Sequence, residues 1–388
     1  MIKKIADIFQ QKFIGEPLIV RSPGRVNIIG EHTDYNDGFV LPAAIDKAIY
    51  VAAGKRNDNR INLYSANYNE DFEVSLADIK PTENWPTYIL GVVDQLVNRG
   101  YNIGGFNLAI DGDVPVGAGL SSSAAVECAV VFALNELFAL GIDKMEMVDI
   151  AQKAEHKFSG LMCGIMDMFA SMFGKKDHAI KLDCRSLQYQ YIPLNLQGYK
   201  LVLFNTNVKH SLASSEYNVR RQQCEQGVAW VQQHHPQVKS LRDVSLQMLD
   251  EYVAPRDKIV YQRCRYVVEE IQRLLAGCQD LQKGNIDALG KKMFQTHEGL
   301  SKAYGVSCKE LDFLVDSVKN NPDVLGTRMM GGGFGGCTIN IIRENAIEQL
   351  VHQLDKSYNE NMQLEFTPYI VQTGNGTETI TNKFYLPV

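Results

Sequence analysis

The chain has 388 residues, of which 45% are apolar and 22% are charged, and its formal net charge at pH 7 is −6. This length exceeds the size at which one hydrophobic core usually stops growing, so we expect two domains. The acidic balance argues against a nucleic acid or an anionic membrane as partner, because either would favour a basic surface.

The N-terminal segment, residues 1–9, is amphipathic and predicts a helix. It contains neither an apolar core of signal-peptide length nor a cleavage-site pattern. The eight cysteines are scattered and form no Cys-x-x-Cys pair, which argues against a zinc ribbon and a thioredoxin-like site. Reduced thiols of this kind are typical of a cytoplasmic protein, and we expect that location.

A dense group of polar side chains follows the first apolar run of the chain. Arg25 directly precedes this run of Val26, Ile28 and Ile29, Gly30 ends it, and Glu31, His32 and Asp34 come next. Their acceptors, together with an imidazole that can donate or accept, suit a neutral ligand rich in hydroxyl groups, such as a sugar. A solvated polar turn and a structural metal site using His32 and Asp34 are the alternatives.

A second group combines a strand, a glycine-rich loop and a helix. Residues 106–110 alternate as a strand does, residues 115–125 are rich in glycine and serine, and residues 124–140 are almost entirely apolar. Glycines and the free amides at a helix start bind phosphate, so this order predicts a phosphate loop; a flexible linker is the alternative. The apolar segment contains two glutamates and is shorter than the roughly 20 residues of a membrane span, so we predict a buried helix.

Two carboxylates follow on helical segments. Glu155 lies in a predicted helix over residues 151–158, and Asp167 lies in the first turn of a helix that begins near Ile165. Asp167 could accept a hydroxyl proton and Glu155 could coordinate magnesium. The residues alone slightly favour the structural alternatives, an exposed helix charge and a helix-start carboxylate.

The remaining pattern predicts a fold of the α+β class in two parts. We predict strands at residues 179–183, 337–342 and 364–371 and a mainly helical region at 224–320. We also predict a domain boundary in an irregular segment at 185–198 and a mobile tail at 373–382. Residues 331–336 contain five glycines in six positions. We predict that this backbone adopts conformations closed to other residues, or lies against a ligand or another loop; a tight hairpin is the alternative.

With these motifs in place, the chain resembles the galactokinases of the GHMP kinase family (galactokinase, homoserine kinase, mevalonate kinase, phosphomevalonate kinase). Residues 24–41 resemble the sugar-specific signature, 115–125 the ATP loop and 331–336 the third motif. The resemblance implies the two-domain GHMP kinase fold, with a mixed-sheet N-terminal domain over 1–195 and an α/β C-terminal domain over 196–388. The active site would lie between them.

The resemblance also implies a role for each site residue. Asp167 would be the catalytic base, Arg25 would stabilise the transition state, and Ser123 and Glu155 would hold Mg²⁺. The sugar would contact Glu31, His32, Thr33, Asp34, Gly164, Asp167 and Tyr217. The nucleotide would contact Ser65, Gly117, Ala118, Gly119, Leu120, Ser121, Ser122 and Ser123.

The implied reaction transfers the γ-phosphoryl of MgATP to the anomeric hydroxyl of D-galactose, and we expect a monomer. Two residues depart from the family pattern: Met168 stands where Gln is usual, and Met330 where Thr is usual. Met168 removes a polar group next to the base, so we expect altered hydrogen bonding in the sugar pocket. A kinase for N-acetylgalactosamine or L-arabinose, and a regulator that binds galactose and ATP without catalysis, are the alternatives.

Overall fold

The structure is a computed structural model that describes residues 1–115, 117–208 and 213–380. Eleven α-helices lie in the described residues: α1 (Ile2–Lys12), α2 (Pro86–Asn98), α3 (Ser122–Phe138), α4 (Lys144–Ala154), α5 (Met166–Phe173), α6 (Ala213–Gln232), α7 (Leu246–Tyr252), α8 (Lys258–Gln282), α9 (Ile286–Glu298), α10 (Lys309–Val318) and α11 (Ile347–Met362).

The described residues also form thirteen strands, grouped in three sheets. They are β1 (Leu18–Asn27), β2 (Phe39–Val40), β3 (Pro42–Lys55), β4 (Arg60–Ser65), β5 (Glu70–Ser75), β6 (Phe106–Gly112), β7 (His178–Asp183), β8 (Tyr189–Pro193), β9 (Tyr199–Asn205), β10 (Val324–Met329), β11 (Cys337–Arg343), β12 (Thr367–Val371) and β13 (Glu378–Thr379).

The largest sheet has six strands in the order β13-β1-β3-β6-β4-β5. Strands β4 and β6 are parallel and the other pairs are antiparallel, so the sheet is mixed. Helix α3 packs on β1 and β3, and α2, α4 and α5 pack around α3. Helix α3 carries alanine and valine on nearly all sides because it is enclosed by these elements, as predicted from its apolar sequence.

The other two sheets are smaller than the first. A four-stranded antiparallel sheet has the order β10-β11-β9-β12, and α9 and α10 pack against β10. A small sheet, β2-β7-β8, joins the sugar-signature region to the segment after α5. The predicted α+β fold is confirmed. No helix in the described ranges has the length and apolarity needed to cross a membrane.

Two local predictions need correction. The segment predicted to be irregular, residues 185–198, contains β8, which pairs with β7. The tail predicted to be mobile is packed as far as residue 380: Thr377 is buried, and β13 pairs with β1 through Val20 and Thr379. Its polar side chains form hydrogen bonds with buried groups; for example, the Thr377 hydroxyl lies 2.8 Å from the Ser22 hydroxyl. Residues 381 and 382 lie outside the described part of the chain.

Candidate active site

Two adjoining cavities lie where the predicted motifs come together, and both are lined by Tyr88 and Ser123. The first, of about 450 Å³, is lined by the following predicted site residues: Arg25, Glu31, His32, Asp34, Gly117, Gly119, Ser123, Glu155, Gly164, Asp167 and Tyr217. We call it the polar cavity. The second, of about 370 Å³, is lined by Ser65, Ser122 and Ser123 and by three aromatic side chains, Tyr68, Trp85 and Tyr88. We call it the aromatic cavity.

Asp167 is held from two sides in the polar cavity. Arg25, near the end of β1, donates from Nε to its Oδ1 at 2.8 Å, and Ser121 donates from its hydroxyl to Oδ2 at 2.6 Å. Arg25 also donates to the carbonyl of Gly119 at 2.6 Å. Burial lowers the pKa of Arg25, but the charges of Asp167 and Glu31 outweigh this effect and raise it, so the guanidinium stays charged. The carboxylate is thus fixed, with Ser121 and Arg25 as its donors.

The sugar-signature turn begins at Gly30, whose φ of 95° is closed to most side chains. Its amide donates to the buried carboxylate of Glu270 at 2.9 Å, which holds the turn against α8. Asp34 lies beyond the turn and closely approaches Gly164, where a side chain would overlap its carboxylate. Burial, followed by the nearby charge of Asp167, raises the pKa of Asp34 to about 7.

His32 lies among tyrosines at the wall of the polar cavity. Its Nδ1 is 2.8 Å from the Tyr35 hydroxyl, which in turn lies 2.6 Å from the Tyr304 hydroxyl. Its ring centroid lies 5.2 Å from that of Tyr217. Burial lowers the pKa of His32 to about 3, so the ring is neutral at pH 7 and offers one donor and one acceptor nitrogen. A neutral ring suits a hydroxyl ligand.

The phosphate-loop prediction agrees with the geometry of residues 117–123. Gly117 and Gly119 have φ of 76° and 74°, and α3 begins at Ser122 with its first-turn amides near both cavities. The helix dipole and these amides favour an anion at this position. Val116, which belongs to the predicted loop, lies outside the described residues.

The glycine-rich third motif lies against this loop. Gly331 has φ of 81°, and a Cβ built there would lie 3.4 Å from the Gly119 carbonyl oxygen. Gly333, Gly335 and Gly336 also have positive φ. The prediction that this backbone adopts conformations closed to other residues and lies against another loop is confirmed.

Ser123 and Glu155 offer the hard oxygen ligands that Mg²⁺ prefers. The Ser123 hydroxyl hydrogen-bonds to Glu155, which begins a π-helical turn over Glu155–Ser159, a distortion common at functional sites. Burial raises the pKa of Glu155, and the hydrogen bonds from Ser123 and Ser159 oppose that shift. One carboxylate and one hydroxyl beside a phosphate loop fit a magnesium ion that keeps water and phosphate ligands.

Several predicted residues do not face the cavities. Thr33 is fully buried and donates its hydroxyl to the carbonyls of Gly30 and Phe39, so it holds the turn and does not line the polar cavity. Ala118 and Leu120 bury their side chains in the core and bring only backbone to the loop. Met168 is also packed in the core and does not line the polar cavity. The structure therefore does not support the expectation that it alters hydrogen bonding in the pocket.

Sequence reasoning missed three groups of residues. Trp85 and Tyr88 line the aromatic cavity, and the Trp85 indole donates to Glu70 at 3.0 Å. Glu127, one turn after Ser123 on α3, is fully buried, and burial and the neighbouring Glu155 raise its pKa well above the ordinary value. Arg328, next to the glycine-rich run, is fully buried and pairs with Glu31. Glu127 and Arg328 could have been noticed in the sequence, because each is a charged residue inside an apolar segment.

Comparison with known proteins agrees with this geometry. Residues 7–55 match the galactokinase galactose-binding signature, 87–175 the N-terminal domain of GHMP kinases and 279–360 their C-terminal domain. The chain is 41% identical to the galactokinase of Thermotoga petrophila over 361 residues, which cover 93% of this chain and 99% of that protein. The chain belongs to the galactokinase family.

Other galactokinases support the same assignment. That of Clostridium acetobutylicum is 39% identical over 385 residues, covering 97% of this chain and 98% of the relative. The crystal structure of Lactococcus lactis galactokinase complexed with galactose superposes with a TM-score of 0.94 at 33% identity, covering 98% of this chain and all of that one. As a member of the galactokinase family, the chain is an ATP-dependent sugar kinase.

Proposed function

We propose that this chain transfers the γ-phosphoryl of MgATP to the C1 hydroxyl of D-galactose, giving α-D-galactose 1-phosphate. The observation that carries the proposal is the position of Asp167. It faces the polar cavity between the sugar-signature residues and the phosphate loop, held by Arg25 and Ser121. This is where the acceptor hydroxyl of a sugar would meet the terminal phosphate of a nucleotide.

The sugar would occupy the polar cavity. Glu31 and Asp34 supply carboxylate oxygens, His32 supplies a neutral imidazole, and Tyr217 supplies a phenol, all of which line it. Because these groups accept and donate hydrogen bonds at fixed positions, they can distinguish sugars that differ in the orientation of one hydroxyl. Gly164 leaves room for Asp34 at the wall of the cavity.

The nucleotide would lie across the two cavities. Trp85, Tyr88 and Tyr68 give the aromatic cavity flat apolar walls that suit a base, and Ser65 lines the same space. The phosphates would then reach the backbone amides of residues 117–123 and the first turn of α3. Ser123, shared by both cavities, marks the point where the phosphates approach the acceptor.

Phosphoryl transfer passes through a loose transition state, so positioning and charge stabilisation account for most of the rate increase. Asp167 would accept the C1 hydroxyl proton as that oxygen bonds to phosphorus. Arg25 would hold the Asp167 carboxylate in place and offset the developing negative charge. Ser123 and Glu155 would hold Mg²⁺, which neutralises charge on the β- and γ-phosphates when bound.

We also propose that the protein acts as a cytoplasmic monomer whose 1–195 and 196–388 parts form the two sides of the site. Its eight cysteines are all free thiols, which supports a reducing compartment. The matched GHMP domains, residues 87–175 and 279–360, each fall within one of these parts.

The test of the proposed function is a coupled ADP-release assay with MgATP and a panel of sugars. The panel contains galactose, 2-deoxygalactose, N-acetylgalactosamine, glucose, L-arabinose and a control without sugar. We expect fast turnover with galactose and little with glucose. Turnover with another sugar but not with galactose would contradict the substrate assignment, and binding of galactose and ATP without turnover would contradict the catalytic one.

A further inference from the structure

We propose that Arg328 is a positioning residue of the sugar site, which fixes the carboxylate of Glu31 so that one oxygen faces the ligand. The inference rests on the proposed function, because it takes the polar cavity to be the sugar site. Arg328 does not line that cavity, and its side chain is fully buried at the end of β10. It would therefore act through Glu31 and not by touching the sugar.

All five N–H donors of the Arg328 guanidinium have partners. Nε donates to the Ile28 carbonyl at 2.9 Å, Nη1 to the Met329 carbonyl at 2.6 Å and to Glu31, and Nη2 to the Asn27 carbonyl and to Glu31. A guanidinium has no other donors, so its orientation is completely determined. Arg328 thereby joins the end of β1 to the end of β10, two places far apart in the sequence.

The two oxygens of Glu31 are used very differently. Oε1 accepts from Nη1 and Nη2 of Arg328, each at 3.1 Å, and from the Gly331 amide at 2.8 Å. Within the described part of the chain, no donor bonds to Oε2. Since Glu31 lines the polar cavity, Oε2 is the oxygen left to accept a hydrogen bond from a sugar hydroxyl.

This arrangement requires an arginine. A buried carboxylate without a partner is costly, so Glu31 needs a hydrogen-bonding partner inside the protein. A lysine could supply the charge but not the planar fork that reaches both Oε1 and the carbonyls of Asn27 and Ile28. With lysine at this position, Glu31 would keep a cationic neighbour and lose its fixed orientation.

The test uses two single variants, Arg328→Lys and Glu31→Gln. For each, KM is measured for galactose, for its 2-, 3-, 4- and 6-deoxy analogues, and for ATP. We expect Arg328→Lys to raise the galactose KM by about tenfold or more, the scale of losing one oriented charged hydrogen bond. The ATP KM should stay within about twofold of wild type, because no ATP-facing group is moved. Arg242→Lys is the matched control, since Arg242 also pairs with a carboxylate, Asp183, and with a carbonyl, that of Asp37, but lines neither cavity.

The deoxy sugars separate positioning from general damage. Glu31→Gln keeps the oxygen that Arg328 and Gly331 require and places a donor where Oε2 was, so it should raise the galactose KM and identify the contacted hydroxyl. The Arg328→Lys penalty should disappear for the same deoxy sugar that cancels the Glu31→Gln penalty. An equal Arg328→Lys penalty for every sugar, or an unchanged galactose KM, would overturn the inference.

The test remains decisive if the Arg328→Lys variant does not fold or if the wild-type protein is inactive. If Arg328→Lys does not melt cooperatively, Glu31→Gln decides alone: a wild-type galactose KM overturns the inference, and a raised KM cancelled by one deoxy sugar supports it. If wild-type protein turns over no galactose, the proposed function fails instead. An active wild type with an unaffected Arg328→Lys variant contradicts only the role of Arg328.

Discussion

The hydroxyl of Ser121 donates a 2.6 Å hydrogen bond to Oδ2 of Asp167, 46 positions later in the chain. Ser121 adopts φ of 57°, a left-handed conformation uncommon for serine, and its side chain makes no capping bond to α3. The serine is therefore turned away from the helix amides and toward the proposed base. Ser121 and Ser123 of the loop thus have different partners, since the Ser123 hydroxyl bonds to Glu155.

This difference predicts that Ser121→Ala and Ser123→Ala have distinct effects. Ser121→Ala should lower kcat by about tenfold, the value of one hydrogen bond to a charged group, and leave the Mg²⁺ dependence unchanged. Ser123→Ala should raise the Mg²⁺ concentration needed for half-maximal rate. Magnesium titrations of both variants at saturating galactose and ATP make the measurement, and the opposite pattern would contradict the two assignments.

The contact between Asp34 and Gly164 predicts a steric effect. In Gly164→Ala the new methyl group would overlap the Asp34 carboxylate, so Asp34 must move from the cavity wall. We expect the galactose KM to rise by about tenfold or more, because a small displacement of a binding group is costly. Gly104→Ala is the control, since the nearest atom to its Cβ would be 3.6 Å away in ordinary contact. Equal KM values for the two variants would show that Asp34 does not need this space.

The raised pKa of Asp34 predicts a pH dependence of stability. Its folded pKa is about 7 against an ordinary value of 3.8, so between about pH 4 and pH 7 the folded state keeps a proton that the unfolded state has released. The free energy of unfolding should therefore fall as pH rises through this window, by at most about 1.4 kcal/mol per pH unit for one proton.

Asp34→Asn should remove this contribution, because the amide does not titrate. Urea denaturation of wild type and variant at several pH values between about 4.5 and 8 gives the difference directly. Asp71→Asn, at an exposed carboxylate, is the control. A difference between wild type and Asp34→Asn that does not change with pH would contradict the raised pKa.

Met168 gives a prediction about stability and not about the sugar. Because its side chain is packed in the core, Met168→Gln should bury an amide without partners and cost about 1–3 kcal/mol in the free energy of unfolding. The galactose KM and the preference over glucose should stay within about twofold of wild type. A changed sugar preference in a fully folded Met168→Gln variant would place this residue in the sugar pocket after all.

Local patterns predicted the parts of the site that depend on neighbours in sequence. The strand, loop and helix around Ser121–Ser123 and the glycine-rich run at 331–336 lie as expected, because backbone geometry and apolar periodicity fix them locally. Their chemical roles needed the family resemblance, since a carboxylate such as Asp167 near a helix start is common.

Contacts between distant segments could not be predicted. The partner of Ser121, the pairing of Arg328 with Glu31 and the joining of β13 to the first sheet depend on tertiary packing across many positions. Tertiary packing also explains why Thr33 and Met168, which the sequence places next to functional residues, have structural roles. They stand among functional residues in sequence, yet Thr33 bonds to the backbone of its own turn and Met168 packs in the core.

The central claim is that Asp167 is the base for transfer of the γ-phosphoryl group to the C1 hydroxyl of galactose. One NMR experiment tests this claim directly. Wild type and Asp167→Asn are incubated with MgATP and galactose labelled with ¹³C at C1, and the products are followed by ³¹P and ¹³C spectra. We predict an α-configured phosphomonoester coupled to the labelled carbon, formed about 10²-fold or more slowly by the variant, the scale of general-base catalysis. Phosphate on another carbon, or a wild-type rate in a folded Asp167→Asn variant, would contradict the account.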